Sequence, residues 1–301
     1  MWWKSECGRP VGSHSVSRAC LDQLQHEGHV VHFRADIDPS SRQADIVSES
    51  IGINKASVFP GFCAFHDHRI FREIDAPLVD ITQHHCDLLV FRSICREAYT
   101  KYKVASFNLA QGMVEEHPTP HGIQTMDMIC CFVDLMAQKV GMEDELENNH
   151  SKHHHFAIRF RHAPIVASSA TFCPQISFDG VVLTGGLEWL TVTILPTQFG
   201  GVAVLSWTQS QTSRTTRLLD SLLRVKSDWV SDVLLRYVID NSENAFYSLV
   251  WWNGLPAEKK NEFVQRYKKT LLSPHTEMRN PYATLGTPLV DWEVTQMEPV
   301  K

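Results

Sequence analysis

Several features that mark large protein classes are missing from this 301-residue sequence. No segment approaches the roughly 20 consecutive apolar residues that a membrane helix needs. The first six residues include a lysine and a glutamate, where a signal peptide needs an extended apolar stretch. We therefore expect a cytoplasmic protein that has no membrane partner.

An excess of basic residues is also missing. The chain has 28 Lys and Arg against 34 Asp and Glu, which gives a formal net charge of −6. This balance argues against a broadly basic nucleic-acid surface, although a local basic patch stays compatible with it. A nucleic-acid partner is therefore an option that the net charge does not support, and the sequence names no other partner.

The common catalytic signatures are absent as well. The sequence contains no Gly-x-Ser-x-Gly, no Gly-x-Gly-x-x-Gly, no phosphate-loop motif and no His-Glu-x-x-His. Their absence removes the hydrolase, dinucleotide, nucleotide and zinc-protease classes that depend on those motifs. It also contains no internal repeat and no long Gly/Ser linker, so domain boundaries must be inferred from changes in hydrophobic periodicity.

What the sequence does contain is an α+β pattern with enough apolar residues, 43%, for a substantial core. We predict a small N-terminal module over residues 1–75 and an α+β domain over residues 76–301. Within the second unit the periodicity predicts helices over 80–150, an antiparallel β-meander over 156–209, helices over 212–272, and a tail over 273–301 that is extended or loose.

Two helices are predicted within 80–150, because apolar residues recur there at spacings of three and four. Both helices should present these residues to a shared core, and the adjacent Cys130 and Cys131 are predicted to be core thiols. The positions are Leu88, Phe91, Cys95, Ala98 and Tyr102 in the first helix, and Ile123, Met126, Ile129, Cys130, Val133, Met136 and Val140 in the second.

The later part of the chain first switches to a period of two. Five β-rich runs predict a sheet of five or six antiparallel strands, and Asp179-Gly180 is a candidate hairpin turn because glycine accepts a positive φ. Helical periodicity then returns after Ser213. A further helix is expected from about Pro256 to Leu272, since proline suits a first helical turn.

The sequence contains sixteen histidines and eight cysteines. In a reducing compartment this combination indicates metal binding more than it indicates disulfide bonds. Cys63 and His66 are separated by two residues, which is a spacing used by structural zinc sites. Cys7 and His14 could complete a tetrahedral site. We therefore predict that Cys7, His14, Cys63 and His66 bind a structural Zn²⁺ that stabilises the N-terminal module, which has little core of its own.

Other interpretations of these residues stay open. Asp67 or His68 could replace one of the predicted ligands, or could orient His66 from outside the metal shell. Cys63, which has phenylalanines on both sides, could also be a buried apolar thiol without a metal.

The N-terminal quarter resembles a group of uncharacterised bacterial proteins. The motifs that carry this resemblance are Ser13-His14-Ser15-Val16-Ser17-Arg18, then Gly28-His29-Val30, then Gly61-Phe62-Cys63-x-x-His66-Asp67-x-x-Ile70-Phe71. More distantly, this part of the chain is similar to the zinc-stabilised HNH or treble-clef module.

The HNH resemblance implies that His14 is the histidine that activates water and that His66 or His68 is the metal ligand on the helix. The sequence departs from the HNH pattern at three points: Ser13 stands where an acidic metal ligand is expected, there is one early cysteine, and Asn54 lies too far before Cys63. We therefore expect a zinc-binding interaction module. The alternative is an HNH-like, metal-dependent nuclease that acts on DNA or RNA with His14 as its base.

Overall fold

A computed structural model describes residues 7–37, 44–110, 120–210, 213–272 and 288–300. It confirms the α+β class. The helices are α1 (Arg18–Leu24), α2 (Ala64–Phe71), α3 (Gln83–Ala110), α4 (Pro120–Asn148), α5 (Ser213–Leu223), α6 (Ser227–Asn241), α7 (Leu249–Gly254) and α8 (Ala257–Leu272). The strands are β1 (Ser13–His14), β2 (His29–Ile37), β3 (Ala44–Gly52), β4 (Val58–Phe59), β5 (His153–Phe160), β6 (Val166–Phe172), β7 (Leu190–Thr197), β8 (Gly200–Thr208), β9 (Ala245–Tyr247) and β10 (Val294–Pro299).

One antiparallel sheet organises the described residues, in the strand order β10-β5-β8-β7-β6-β9-β2-β3. Its eight strands exceed the predicted five or six, because β2, β3, β9 and β10 come from outside the predicted meander. The meander itself supplies four strands. Ile176 and Val182 form an isolated bridge apart from this sheet, and Gly180 between them has the positive φ, +83°, that the predicted turn requires.

Residues of the predicted N-terminal module belong to this same sheet. β2 pairs with β3 over nine residues and also with β9, which connects both strands to β6. Leu21 of α1 and Phe71 of α2 lie in one hydrophobic cluster with Phe91 of α3. The described residues before position 76 therefore share their core with later parts of the chain, and the boundary at residue 75 stays a prediction.

Helices cover both faces of the sheet. Ala157, Val202 and Val204 point into the core that contains residues of α1 and α3. Their neighbours Ile158 and Ala203 point into a second core with residues of α5, α6 and α8. The central strands are consequently buried along almost their whole length, as expected when both faces of a sheet are covered.

The prediction about the second helix is wrong in its orientation. In α3 the residues Leu88, Phe91, Cys95 and Ala98 are buried as predicted, although Tyr102 is exposed. In α4 most of the predicted core positions lie at the surface instead, and Cys130 is an exposed thiol and not a core one. The positions in solvent are Ile123, Met126, Cys130, Val133 and Val140.

The inner face of α4 is a different set of residues. Leu135 and Met142 are buried, the Asp134 carboxylate accepts a hydrogen bond from the Trp189 indole, and Glu145 pairs with His153 of β5 at 3.1 Å. α4 therefore carries two apolar stripes. Asp134 and Glu145 find their partners, Trp189 and His153, only when their side of α4 faces the sheet. This orientation is favoured because a buried carboxylate without a partner is costly.

The C-terminal half also differs in detail from the predicted helices. The residues with helical periodicity after Ser213 form two helices, α5 and α6. Lys226, between these helices, has an extended conformation (ψ 141°). The described part of the tail forms β10, which pairs antiparallel with β5 at the sheet edge. Residues 273–287 lie outside the described part of the chain.

Among the described residues, no helix combines the length and the apolarity that crossing a bilayer would require.

Candidate metal centre

Cys63 and His66 are placed together by the first turn of α2. Cys63 is the N-cap residue, with an extended backbone (φ −78°, ψ 159°), and His66 lies within the first turn. The Cys63 Sγ atom is 3.2 Å from the His66 Nδ1 atom, and both residues are 5% exposed. The two-residue spacing thus brings a thiol and an imidazole together in a buried position, as the sequence predicts.

Cys7 joins this pair from a distant segment. The Val11 N–H donates to the Phe62 carbonyl oxygen at 2.8 Å, and Pro10 forms an isolated antiparallel bridge with Cys63. This pairing lays the N-terminal segment along the entrance to α2. The two sulfur atoms and a ring nitrogen of His66 lie within 4.8 Å of one another, and this group could hold a metal ion.

The electrostatics of the group favour a thiolate at Cys63. The backbone N–H of His66 has the largest effect in lowering the pKa of the Cys63 thiol to about 7, and the Gly8 N–H contributes in the same direction. A thiolate is the form of cysteine that binds metals. The nearby Cys63 sulfur raises the pKa of Cys7. A cation between the two sulfurs would remove this penalty, because it attracts both thiolates.

The donor set fits zinc. Zn²⁺ binds Cys sulfur at about 2.3 Å and His nitrogen at about 2.0–2.1 Å in tetrahedral geometry, which separates neighbouring ligand atoms by roughly 3–4 Å. The 3.2 Å between Sγ and Nδ1 is within this range. Two thiolates and one imidazole also suit zinc better than Mg²⁺ or Ca²⁺, which prefer oxygen ligands.

His14, the fourth predicted ligand, is not part of this group. It lies in β1, where its Nδ1 atom is 3.0 Å from the Ser57 Oγ atom, and Ser57 in turn donates to the Val16 carbonyl oxygen. Burial lowers the pKa of His14. The structure therefore brings together three of the four predicted ligands, and ligation by His14 stays a prediction.

The two alternative ligands also lie outside the group. His68 is exposed on α2, whereas Asp67 is half-buried and burial raises the pKa of its carboxyl group. The Asp67 Oδ1 and the buried Ser13 Oγ have no hydrogen-bond partner among the described residues. Asp67 directly follows His66 in the sequence, but neither Asp67 nor Ser13 forms part of the metal group.

Sequence reasoning missed one residue that positions the site. Arg92 of α3 is 2% exposed, its guanidinium lies 4.0 Å from the Phe71 ring centroid, and its Nη2 donates to Asp75 Oδ1 at 2.7 Å. These contacts hold the C-terminal end of α2 against α3. The available signal was the position of Arg92, beside Phe91 in the apolar pattern of α3, where a charged residue needs a buried partner.

No protein-family model, curated protein sequence or solved structure matches this chain. The geometry of the site is therefore the basis on which a function can be proposed.

Proposed function

We propose that this chain is a zinc-binding protein in which Cys7, Cys63 and His66 hold one structural Zn²⁺, and that it acts as a binding or interaction module. The observation that carries the proposal is the convergence of two sulfurs and one imidazole nitrogen within 4.8 Å from two distant segments. Chance clusters of exposed carboxylates are common, but two thiols and an imidazole around one point are a typical zinc-binding set.

A metal ion at this point would hold the N-terminal segment in place. The segment from Cys7 to Gly12 is exposed, and the hydrogen bond from Val11 N–H to Phe62 O connects it to the residues just before α2. A Zn²⁺ would connect it to the buried start of α2. Since β1 follows directly, the ion would also fix the position of Ser13 and His14, which supports a structural role for the metal.

Three protein ligands leave the fourth position of a tetrahedral zinc shell open to another ligand. Structural zinc sites fill this position with a protein ligand, whereas catalytic sites keep it for water or substrate. In the proposed interaction module the fourth ligand comes from His14 after a local rearrangement, from water, or from a group that the partner supplies. The zinc affinity of the His14→Ala variant separates the first case from the others.

The experiment is a metal analysis of the full-length protein, purified without chelators, by inductively coupled plasma mass spectrometry. We expect one zinc per chain in the wild type and a loss of zinc in Cys63→Ser and His66→Ala. Cys130→Ser is the matched control, because Cys130 is an exposed cysteine outside the group, and it should keep its zinc. A wild-type protein that contains no zinc and takes up none would overturn the proposal.

An HNH-like nuclease is the second candidate, and one observation supports it. β1 and β4 form a two-stranded antiparallel sheet, with His14 opposite Val58, and α2 follows β4 in the chain. The HNH resemblance implies a ββα unit of this kind, although here α1, β2 and β3 come between β1 and β4 in the chain. His14 would be the base in that case, and its lowered pKa would keep the ring neutral at pH 7.

This candidate is tested by incubating supercoiled plasmid DNA and single-stranded RNA with the protein and Mg²⁺, Mn²⁺ or Zn²⁺. A nuclease should produce nicks or cleavage that disappear in His14→Ala, while Cys130→Ser retains them. If none of the metals supports cleavage by the zinc-loaded wild type, the nuclease candidate is excluded and the structural-zinc proposal is unaffected.

A further inference from the structure

The outward face of α4 is an apolar stripe that we call the α4 stripe. Four of its side chains, those of Ile123, Met126, Val133 and Val140, are between 51% and 60% exposed. Two smaller exposed residues complete it, so that the α4 stripe consists of Ile123, Met126, Cys130, Val133, Ala137 and Val140. The exposed polar residues between its ends are Gln124 and Asp127. A helix normally turns its polar side to water, so this face requires an explanation.

The spacing of the α4 stripe is that of a coiled-coil seam. Its members follow one another at intervals of three, four, three, four and three residues, which is the a/d pattern of a heptad repeat. At 1.5 Å per residue the stripe extends along about 25 Å of helix. Coiled-coil seams use this narrow pattern because each residue can insert between four residues of a facing helix.

The residues that anchor α4 to its own fold are on its other side. Leu135 and Met142 are buried, and Glu145 is bonded to His153. The α4 stripe is therefore not part of the core that holds the chain together. Among the described residues nothing buries the α4 stripe, so a partner helix could cover it without displacing a contact that the structure describes.

We propose that the α4 stripe binds the same stripe of a second copy of this chain, with the two α4 helices antiparallel across a two-fold axis. The spacing of the stripe is unchanged when its direction is reversed, as an interface between identical surfaces requires. Antiparallel pairing places Met126 opposite Ala137 of the partner subunit and Cys130 opposite Val133 of the partner subunit. A long side chain thus faces a short one.

Parallel pairing would fit less well. It would place Met126 opposite Met126 of the partner subunit, and Ala137 opposite Ala137 of the partner subunit. The first layer would be overfilled and the second would leave a gap, and both kinds of packing error are destabilising. The side-chain sizes therefore favour the antiparallel arrangement.

The available area agrees with a dimer. Six partly or largely exposed apolar side chains offer on the order of 500 Å², which is near the upper end of apolar patches on monomers. The adjoining end of α3, attached to α4 by the Asn108–Thr125 hydrogen bond (3.0 Å), also exposes Phe107 and Leu109. If the interface extends onto these side chains and onto rim residues, its area would approach the ~800 Å² per partner that stable interfaces bury.

The first test measures the oligomeric state of the zinc-loaded full-length protein by sedimentation velocity over a concentration series. We expect the wild type to dimerise and Val133→Glu to raise the dimer dissociation constant at least tenfold. Val181→Glu is the matched control, because Val181 is 59% exposed against 60% for Val133 but lies outside α4, just after Gly180. Circular dichroism and melting curves establish that both variants are folded.

The second test identifies the orientation by disulfide cross-linking. Cys130→Ser/Val133→Cys carrying one affinity tag is mixed with wild type carrying another, and the mixture is oxidised mildly. Antiparallel packing predicts a cross-link between the cysteine introduced at position 133 of the variant and Cys130 of the wild type. A wild type that stays monomeric at its highest concentration, a Val133→Glu variant that dimerises normally, or preferential Cys130–Cys130 cross-links would each overturn the proposal.

Discussion

His155 of β5 and Asp87 of α3 form a hydrogen-bonded pair between the sheet and the helical layer. The His155 Nε2 atom lies 3.1 Å from Asp87 Oδ1, and His155 Nδ1 lies 2.8 Å from Ser206 Oγ on the neighbouring strand. The Ser151 hydroxyl also donates to Asp87 Oδ1 at 2.7 Å. These bonds fix the position of α3 on the sheet, and α3 in turn holds α2 with its candidate metal ligands.

Replacing Asp87 by alanine should therefore destabilise the whole fold. The change leaves the buried His155 and the partly exposed Ser151 without their acceptor, so we expect the free energy of unfolding to fall by about 2–3 kcal/mol. Urea denaturation measures this difference. Asp127→Ala, at an exposed position of α4, should change it by less than about 0.5 kcal/mol. Equal effects of the two substitutions would show that the buried pair contributes nothing specific.

Arg92→Ala should also destabilise the protein strongly. The substitution removes the guanidinium from Phe71 and breaks the bond to Asp75, in a position that is 2% exposed. We expect a loss of about 2–4 kcal/mol, measured by the same denaturation. Arg224→Ala is the control, since the Arg224–Asp179 pair is exposed and such pairs contribute about 0–1 kcal/mol. A loss for Arg92→Ala as small as that for Arg224→Ala would contradict this assignment.

Removing zinc should loosen the N-terminal segment while the sheet stays folded. Most of the core does not include the metal ligands, so the far-ultraviolet circular dichroism should change little. We expect a strong chelator to lower the melting temperature by about 5 °C or more, and limited proteolysis to cut between Cys7 and Gly12. Cys63→Ser should behave like the chelated wild type and should not respond further to chelator. A chelator response in Cys63→Ser equal to that of the wild type would contradict the site.

His14→Ala should keep its zinc, because the His14 ring is bonded to Ser57 and does not lie with the three grouped ligands. The lost hydrogen bond should lower the free energy of unfolding by about 1 kcal/mol. Competition with a chromophoric chelator measures the zinc affinity of the variant and of the wild type. An affinity that falls tenfold or more would instead identify His14 as the fourth ligand, as the sequence pattern predicts.

The sequence predicts the part of the candidate metal site whose ligands are close together in the chain. Cys63 and His66 lie on one helical turn, and their spacing alone places the two side chains side by side. Cys7 was assigned by residue type, and its approach to Cys63 requires the pairing of Val11 with Phe62, which no local pattern encodes. His14 is a suitable ligand by residue type, but its ring is hydrogen-bonded to Ser57 and does not lie with the three grouped ligands.

The fold likewise has features that local sequence predicts and features that depend on tertiary contacts. The sequence by itself determined the α+β class, the helical nature of α3 and α4, and the turn at Gly180, because each depends on residues within a few positions of one another. Only the tertiary structure decided that β2, β3 and β10 join the central sheet and that Asp134 and Glu145 turn one apolar stripe of α4 inward. Periodicity shows that a stripe exists, but the partners that bury it come from remote segments, which compete for the same surfaces when the chain packs.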